Sequence, residues 1–130
     1  MRRTILAALI AAAVVAAPSA AGAPAPTRLA SYCSPTGDLC FGAFRRGGVV
    51  RLQITTAARY FTRYRLCLRP PGTGSAGLQR CGSFPLFRGA RGSGYGSVKL
   101  SIFPKTGPGV YRATWRIGSG PLGPTLRFRG

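Results

Sequence analysis

The chain has 130 residues, length for one domain, and carries 19 basic residues against a single acid, a formal net charge of +18. With no histidine, no glutamate and one aspartate, it lacks the paired carboxylates of glycoside hydrolysis and the base of a Ser-His-Asp or Cys-His centre. A Ser–Lys pair would have to use Lys99 or Lys105, which lie on or beside a predicted strand with nothing to bury the amine. The composition therefore predicts a non-catalytic protein that needs no cofactor.

Residues 1–23 read as a signal peptide. Arg2 and Arg3 form a charged start, Ile5 to Ala17 is an unbroken apolar run, and Pro18 to Ala23 supplies small residues for cleavage. The run is shorter than the ~20 residues a bilayer span needs. Secretion, or attachment to the cell envelope from outside, is expected. A Pro/Ala-rich linker over 24–30 then leads to a domain over 31–130. All four cysteines lie in that domain, and an even count in an exported chain predicts a disulfide framework. Four cysteines allow three pairings, of which the local one, Cys33–Cys40 with Cys67–Cys81, is favoured. The 6, 26 and 13 residues between successive cysteines contain no C-x2-C knuckle, which argues against a metal site.

In chain order, Cys33 to Cys40 encloses Ser34-Pro35 and Thr36-Gly37-Asp38 and reads as a stapled turn. Leu39 to Phe44 is a candidate strand, with a turn over Arg45 to Gly48. Val49 to Thr56 follows, with Val50, Leu52 and Ile54 inward and Arg51 and Gln53 outward. Ala57 to Tyr60 fits either a helical turn or a bend. From Arg63 to Arg69, Tyr64, Leu66 and Leu68 share one face while Arg63, Arg65, Cys67 and Arg69 share the other. Arg80 to Phe84 is the second arm of a hairpin. Placing Cys67 opposite Cys81 sets Leu66 against Gly82 and Tyr64 against Phe84, which leaves the cystine on the arginine-bearing face.

The loop from Pro70 to Gly77 is rich in Gly and Pro, and Gly89 to Gly94 is a second flexible connection. Val98, Leu100 and Ile102 then alternate with Lys99 and Ser101 in a strand that Pro104 ends. After a corner over Lys105 to Gly109, Tyr111, Ala113, Trp115 and Ile117 face in, and Arg112, Thr114 and Arg116 face out. Leu126 and Phe128 alternate with Arg127 and Arg129 at the end of the chain. No stretch carries a helical stripe of useful length. About seven short strands, with turn signals about every 8–12 residues, predict an all-β antiparallel sandwich.

The segment Gly107-Pro108-Gly109-Val110-Tyr111-Arg112-Ala113-Thr114-Trp115 resembles the corner and penultimate strand of immunoglobulin-like and fibronectin-III-like modules. The resemblance implies an Ig-like sandwich, of the kind found in secreted bacterial proteins, in which Tyr111 sends its hydroxyl back to upstream backbone. It also implies a stalk, adhesion or ligand-presenting role. The sequence departs from the antibody branch, whose cystine joins the two sheets beneath a tryptophan.

The outward arginines are the gathered signal: Arg51, Arg63, Arg65, Arg69, Arg112, Arg116, Arg127 and Arg129. In an Ig-like topology the strands holding Arg63–Arg69, Arg112–Arg116 and Arg127–Arg129 would be neighbours in one sheet. The function expected is then an arginine-rich face that contacts anionic polymers, with Tyr60, Phe61 and Tyr95 as added stacking surface. The competing reading is that GC-rich codon usage filled solvated faces with arginine. Other roles are an adhesion module that binds a protein partner, a small enzyme inhibitor presenting Pro70 to Gly77, and a membrane effector, against which no amphipathic helix stands. Sequence-specific nucleic-acid reading is not expected, since no helix-turn-helix, RNP or finger pattern is present. The chain is expected to be monomeric.

Overall fold

The computed structural model describes residues 13–15, 25–104 and 107–130. The expected signal peptide lies outside the described residues except for 13–15, and so do Lys105 and Thr106 of the expected corner. Among the described residues no helix is long and apolar enough to cross a membrane.

Among the described residues ten strands form: β1 Thr27–Cys33, β2 Leu39–Arg46, β3 Val49–Thr56, β4 Arg63–Arg69, β5 Arg80–Pro85, β6 Phe87–Arg88, β7 Gly94–Lys99, β8 Val110–Ile117, β9 Gly120–Pro121 and β10 Leu126–Arg129. They build two antiparallel sheets. The first has the order β1-β2-β3-β7-β6 and the second β10-β8-β4-β5, with β9 pairing the end of β8. The chain changes sheet after β3, between β5 and β6, and after β7. The second crossing is made at Leu86, which is fully buried. Gly47 and Gly48, at φ 56° and 78°, make the two-residue turn between β2 and β3; both central residues of that hairpin turn must take the left-handed region.

Period-2 alternation sends the apolar residues of both sheets into one core. Leu52 and Ile54 come from the first sheet, and Tyr64, Leu66, Leu68, Tyr111, Ala113 and Trp115 from the second. Phe41 of β2 stacks on Trp115 of β8 at 4.6 Å between ring centroids, so aromatic contact joins the sheets where a cystine does not. Tyr64 reaches across to β7, where a side chain on Gly96 would lie 2.6 Å from the tyrosine ring. Its hydroxyl is buried without a hydrogen-bond partner among the described residues. Desolvation, with a smaller push from Tyr95, raises the Tyr64 pKa to about 12. Burial also raises that of Tyr111, whose hydroxyl donates to the Gly107 carbonyl.

Both disulfides follow the local pairing, Cys33–Cys40 and Cys67–Cys81. The hairpin register also matches the sequence reading, with Tyr64 opposite Phe84, Leu66 opposite Gly82 and Cys67 opposite Cys81.

Several boundaries differ. Thr27, Arg28 and Ala30, expected in the linker, already pair with β2 around a bulge at Leu29. Leu29 and Ala30 pack on the core, and that contact makes the segment part of the sheet. Strand β2 runs on through Arg45 and Arg46 because the tight Gly47-Gly48 turn needs only two residues. Strand β7 begins at Gly94, inside the expected flexible connection, and ends at Lys99. Leu100 to Ile102 form a 3-10 turn instead of a strand continuation, which leaves Ile102 62 % exposed. Ile117 is 40 % exposed, since it lies at the end of β8 beyond the core. Ala57 to Tyr60 is a bend without helix.

Candidate functional site

The outer face of the second sheet takes its residues from alternate positions of β5, β4, β8 and β10, and the strand register sets them in rows. Arg69 lies opposite Arg112, and Arg112 opposite Arg127. Three guanidinium side chains thus start from adjacent strands, whose spacing is about 4.8 Å. The next row is Cys81, Cys67 and Thr114, and the Thr114 hydroxyl is hydrogen-bonded to that of Thr125 at 2.7 Å. A third row sets Ser83, Arg65 and Arg116 side by side, and Arg63 follows at the edge.

These arginines are not equivalent. Among the described residues, those whose guanidinium bonds a protein acceptor are Arg45, Arg51, Arg59, Arg63 and Arg116. Arg63 holds the Ser83 hydroxyl at 3.2 Å and the Ser83 carbonyl at 3.1 Å. Arg116 donates to the Ser119 carbonyl. Arg65, Arg69, Arg112 and Arg127 are exposed and keep their donors for solvent or a ligand. Arg129 continues the β10 alternation past Arg127, and its carbonyl accepts from Arg45 Nη2 at 3.3 Å.

Of the arginines read from the sequence, seven therefore share one outer face and Arg51 does not. Arg51 belongs to β3 in the first sheet, between Phe44 and Lys99, with its guanidinium toward Ser97 Oγ at 3.4 Å. The aromatic residues expected to add stacking surface are also elsewhere. Tyr95 lies on β7 of the first sheet, Tyr60 is in the connection between β3 and β4, and Phe61 packs against the core.

A depression of about 450 Å³ is lined by Arg69, Gln79, Arg112, Thr114, Thr125 and Arg127. A second, of about 300 Å³, lies on the other side of the same three arginines against Pro70, Pro71 and Gly72. The Pro70–Gln79 loop that walls both hollows is closed at its base by the Cys67–Cys81 cystine. The sequence reading did not single out Gln79, Thr114 and Thr125. Thr114 is legible in principle from its place between Arg112 and Arg116. Gln79 and Thr125 come from outside the alternating runs, and only strand pairing brings them in.

Asp38, the sole acid, occupies the turn between β1 and β2, in the other sheet. No protein carboxylate side chain can therefore neutralise the arginine row. Comparison with known protein families, with curated proteins and with solved structures finds no match to this chain. The chemistry of the face itself carries the functional reading. It offers planar guanidinium donors at close spacing on one sheet face, with no acidic side chain beside them.

Proposed function

We propose that the chain is an exported, non-catalytic, monomeric binding module of Ig-like type, whose arginine-bearing sheet face contacts anionic polymers of the cell envelope or exterior. The observation that carries this reading is the Arg69–Arg112–Arg127 row, with its donors unspent on acceptors among the described residues. Like charges directly opposite across strands are destabilising, and a bound polyanion would relieve that repulsion in the folded state alone. The Ig-like assignment is supported by strand order, since β2-β3-β7-β6 and β5-β4-β8-β10 follow the A-B-E-D and C′-C-F-G arrangement. The Tyr111 bond to the Gly107 carbonyl agrees with a tyrosine corner. Export is supported by the two cystines and by the apolar segment near the start of the chain.

The test is retention of the purified protein on immobilised anionic polymers across a salt series. Arg69/Arg112/Arg127→Gln is compared with Arg46/Arg51/Arg91→Gln, which removes the same charge from elsewhere. Counter-ion release makes retention fall with salt for any cationic protein, so the contrast between the sets is decisive. The face set should elute at clearly lower salt than the control set. Equal losses would mean diffuse charge and would move the assignment to a protein partner.

A further inference from the structure

We infer that the Arg69–Arg112–Arg127 row is a discrete subsite for a tetrahedral oxyanion ester, phosphate or sulfate, in preference to a carboxylate. This rests on the anionic-polymer reading of the same face and narrows the ligand class within it.

The donor inventory leads to that class. Each guanidinium is a planar fork of N–H donors that matches two oxygens at once. Three forks start from three neighbouring strands and line one hollow. A carboxylate has two oxygens in one plane, which one fork satisfies, so further arginines beside it would remain without matched acceptors. A phosphate or sulfate group presents oxygens in three or four directions, and a phosphate monoester brings up to two negative charges to set against three positive ones. Donors from several sides suit the tetrahedral group.

The remaining lining residues add donors of the same kind. In the Thr114–Thr125 pair one hydroxyl hydrogen is used within the pair and the other is left to donate outward. Gln79 Nε2 lies 3.6 Å from Cys81 Sγ, a weak acceptor, and retains a second N–H. No carboxylate side chain lines the hollow to repel an anion. The cystine beneath the Pro70–Gln79 loop holds Gln79 over the arginine row, so the site is framed before any ligand arrives.

The probe is inorganic phosphate, with sulfate and acetate as comparison arms, titrated at constant ionic strength into the isotopically labelled protein and followed by backbone amide shifts. Phosphate should give saturable one-to-one shifts at Arg69, Arg112, Thr114 and Arg127, and acetate should not. A sulfate response equal to that of phosphate would assign the site to tetrahedral shape and charge; a weaker one would assign it to the O–H that hydrogen phosphate keeps and sulfate lacks, and both support the subsite. Arg112→Gln should weaken phosphate binding by about tenfold, while Arg51→Gln leaves it unchanged. The preserved dispersion of each variant's spectrum reports that it is folded. Linear shifts equal for phosphate and acetate would overturn the subsite, as would saturable binding indifferent to Arg112→Gln. If either occurs while the same face still sets retention on polymers, the oxyanion site falls and the broader reading stands.

Discussion

The two sheets present outer faces of unequal cationic density, although the same alternation builds both. On the first, successive rows read Cys33, Cys40, Thr55, Tyr95 and Phe87, then Ser31, Gly42, Gln53 and Ser97. Arginine and lysine appear in the row of Arg28, Phe44, Arg51 and Lys99 and in the Arg46–Val49 row beyond it. On the second, Arg69, Arg112 and Arg127 form one row and Arg65 with Arg116 another. The first face mixes its four cations, Arg28, Arg46, Arg51 and Lys99, with serine, threonine, glutamine and exposed aromatics, Phe87 58 % and Tyr95 44 % exposed. The second carries seven arginines, three of them in a single row.

Each outer face also carries one cystine, and this permits the sharpest contrast. Replacing both cysteines of a pair by serine should cost about 2–4 kcal/mol of stability in either case, read as a lower urea midpoint. The Cys67–Cys81 pair spans 14 residues and Cys33–Cys40 spans 7. Doubling the closed loop adds about 0.6 kcal/mol, so the first should be the costlier loss. Only that pair frames the Gln79 loop, and only its removal should lower retention on anionic polymers in molecules still folded. Equal loss of retention from both variants would break the link between the cystine and the arginine row.

A second contrast uses the contact between sheets. Tyr64 belongs to the arginine-bearing sheet but buries its hydroxyl against Gly96 of the other. Its pKa is raised from 10.0 to about 12 in the folded state. Between those values the unfolded phenol has lost its proton and the folded one has not, so stability is complete below pH 10 and falls as pH rises toward 12. A shift of that size corresponds to about 3 kcal/mol once both states are ionised. Thermal melts over this range should show the drop, and Tyr64→Phe should reduce it by removing the ionisable hydroxyl, leaving the part that Tyr111 contributes.

How much of this was legible in the sequence depends on what each feature rests on. Alternation and the cysteine count were enough for the Arg63–Pro85 hairpin, its register and its cystine, because a one-residue slip would turn Tyr64, Leu66 and Leu68 to solvent. The same alternation placed arginines on outward faces. It could not tell which outward faces coincide, since period 2 sets sides and not strand neighbours, and so Arg51 was grouped with residues of the other sheet. Ile102 and Ile117 continue an apolar pattern past the point where a facing sheet exists to bury them. Gln79 and Thr125 carry no local pattern, and their place in the hollow follows from long-range pairing alone.

The smallest effect tests whether the arginine row is under electrostatic strain when nothing is bound. Arg112 has a like charge directly across on both sides, Arg69 and Arg127, whereas Arg51 faces Lys99 on one side and Phe44 on the other. Cross-strand pairs contribute roughly 0.2–1 kcal/mol, and like charges carry the unfavourable sign. Arg112→Thr should thus stabilise the unliganded protein in low salt by about 0.5–1 kcal/mol, and Arg51→Thr by about half as much. Both gains should fade as salt screens the charges, the Debye length falling to about 3 Å at 1 M. Threonine suits a strand at either position, so the propensity contribution cancels in the comparison. If Arg112→Thr gives no larger gain than Arg51→Thr, the guanidiniums fan apart on their flexible stems, and an anion would have to gather them at a cost in side-chain entropy. If the gain is larger and vanishes with salt, the row is held close in the free protein, and the fold itself has already met the cost of bringing the three charges together.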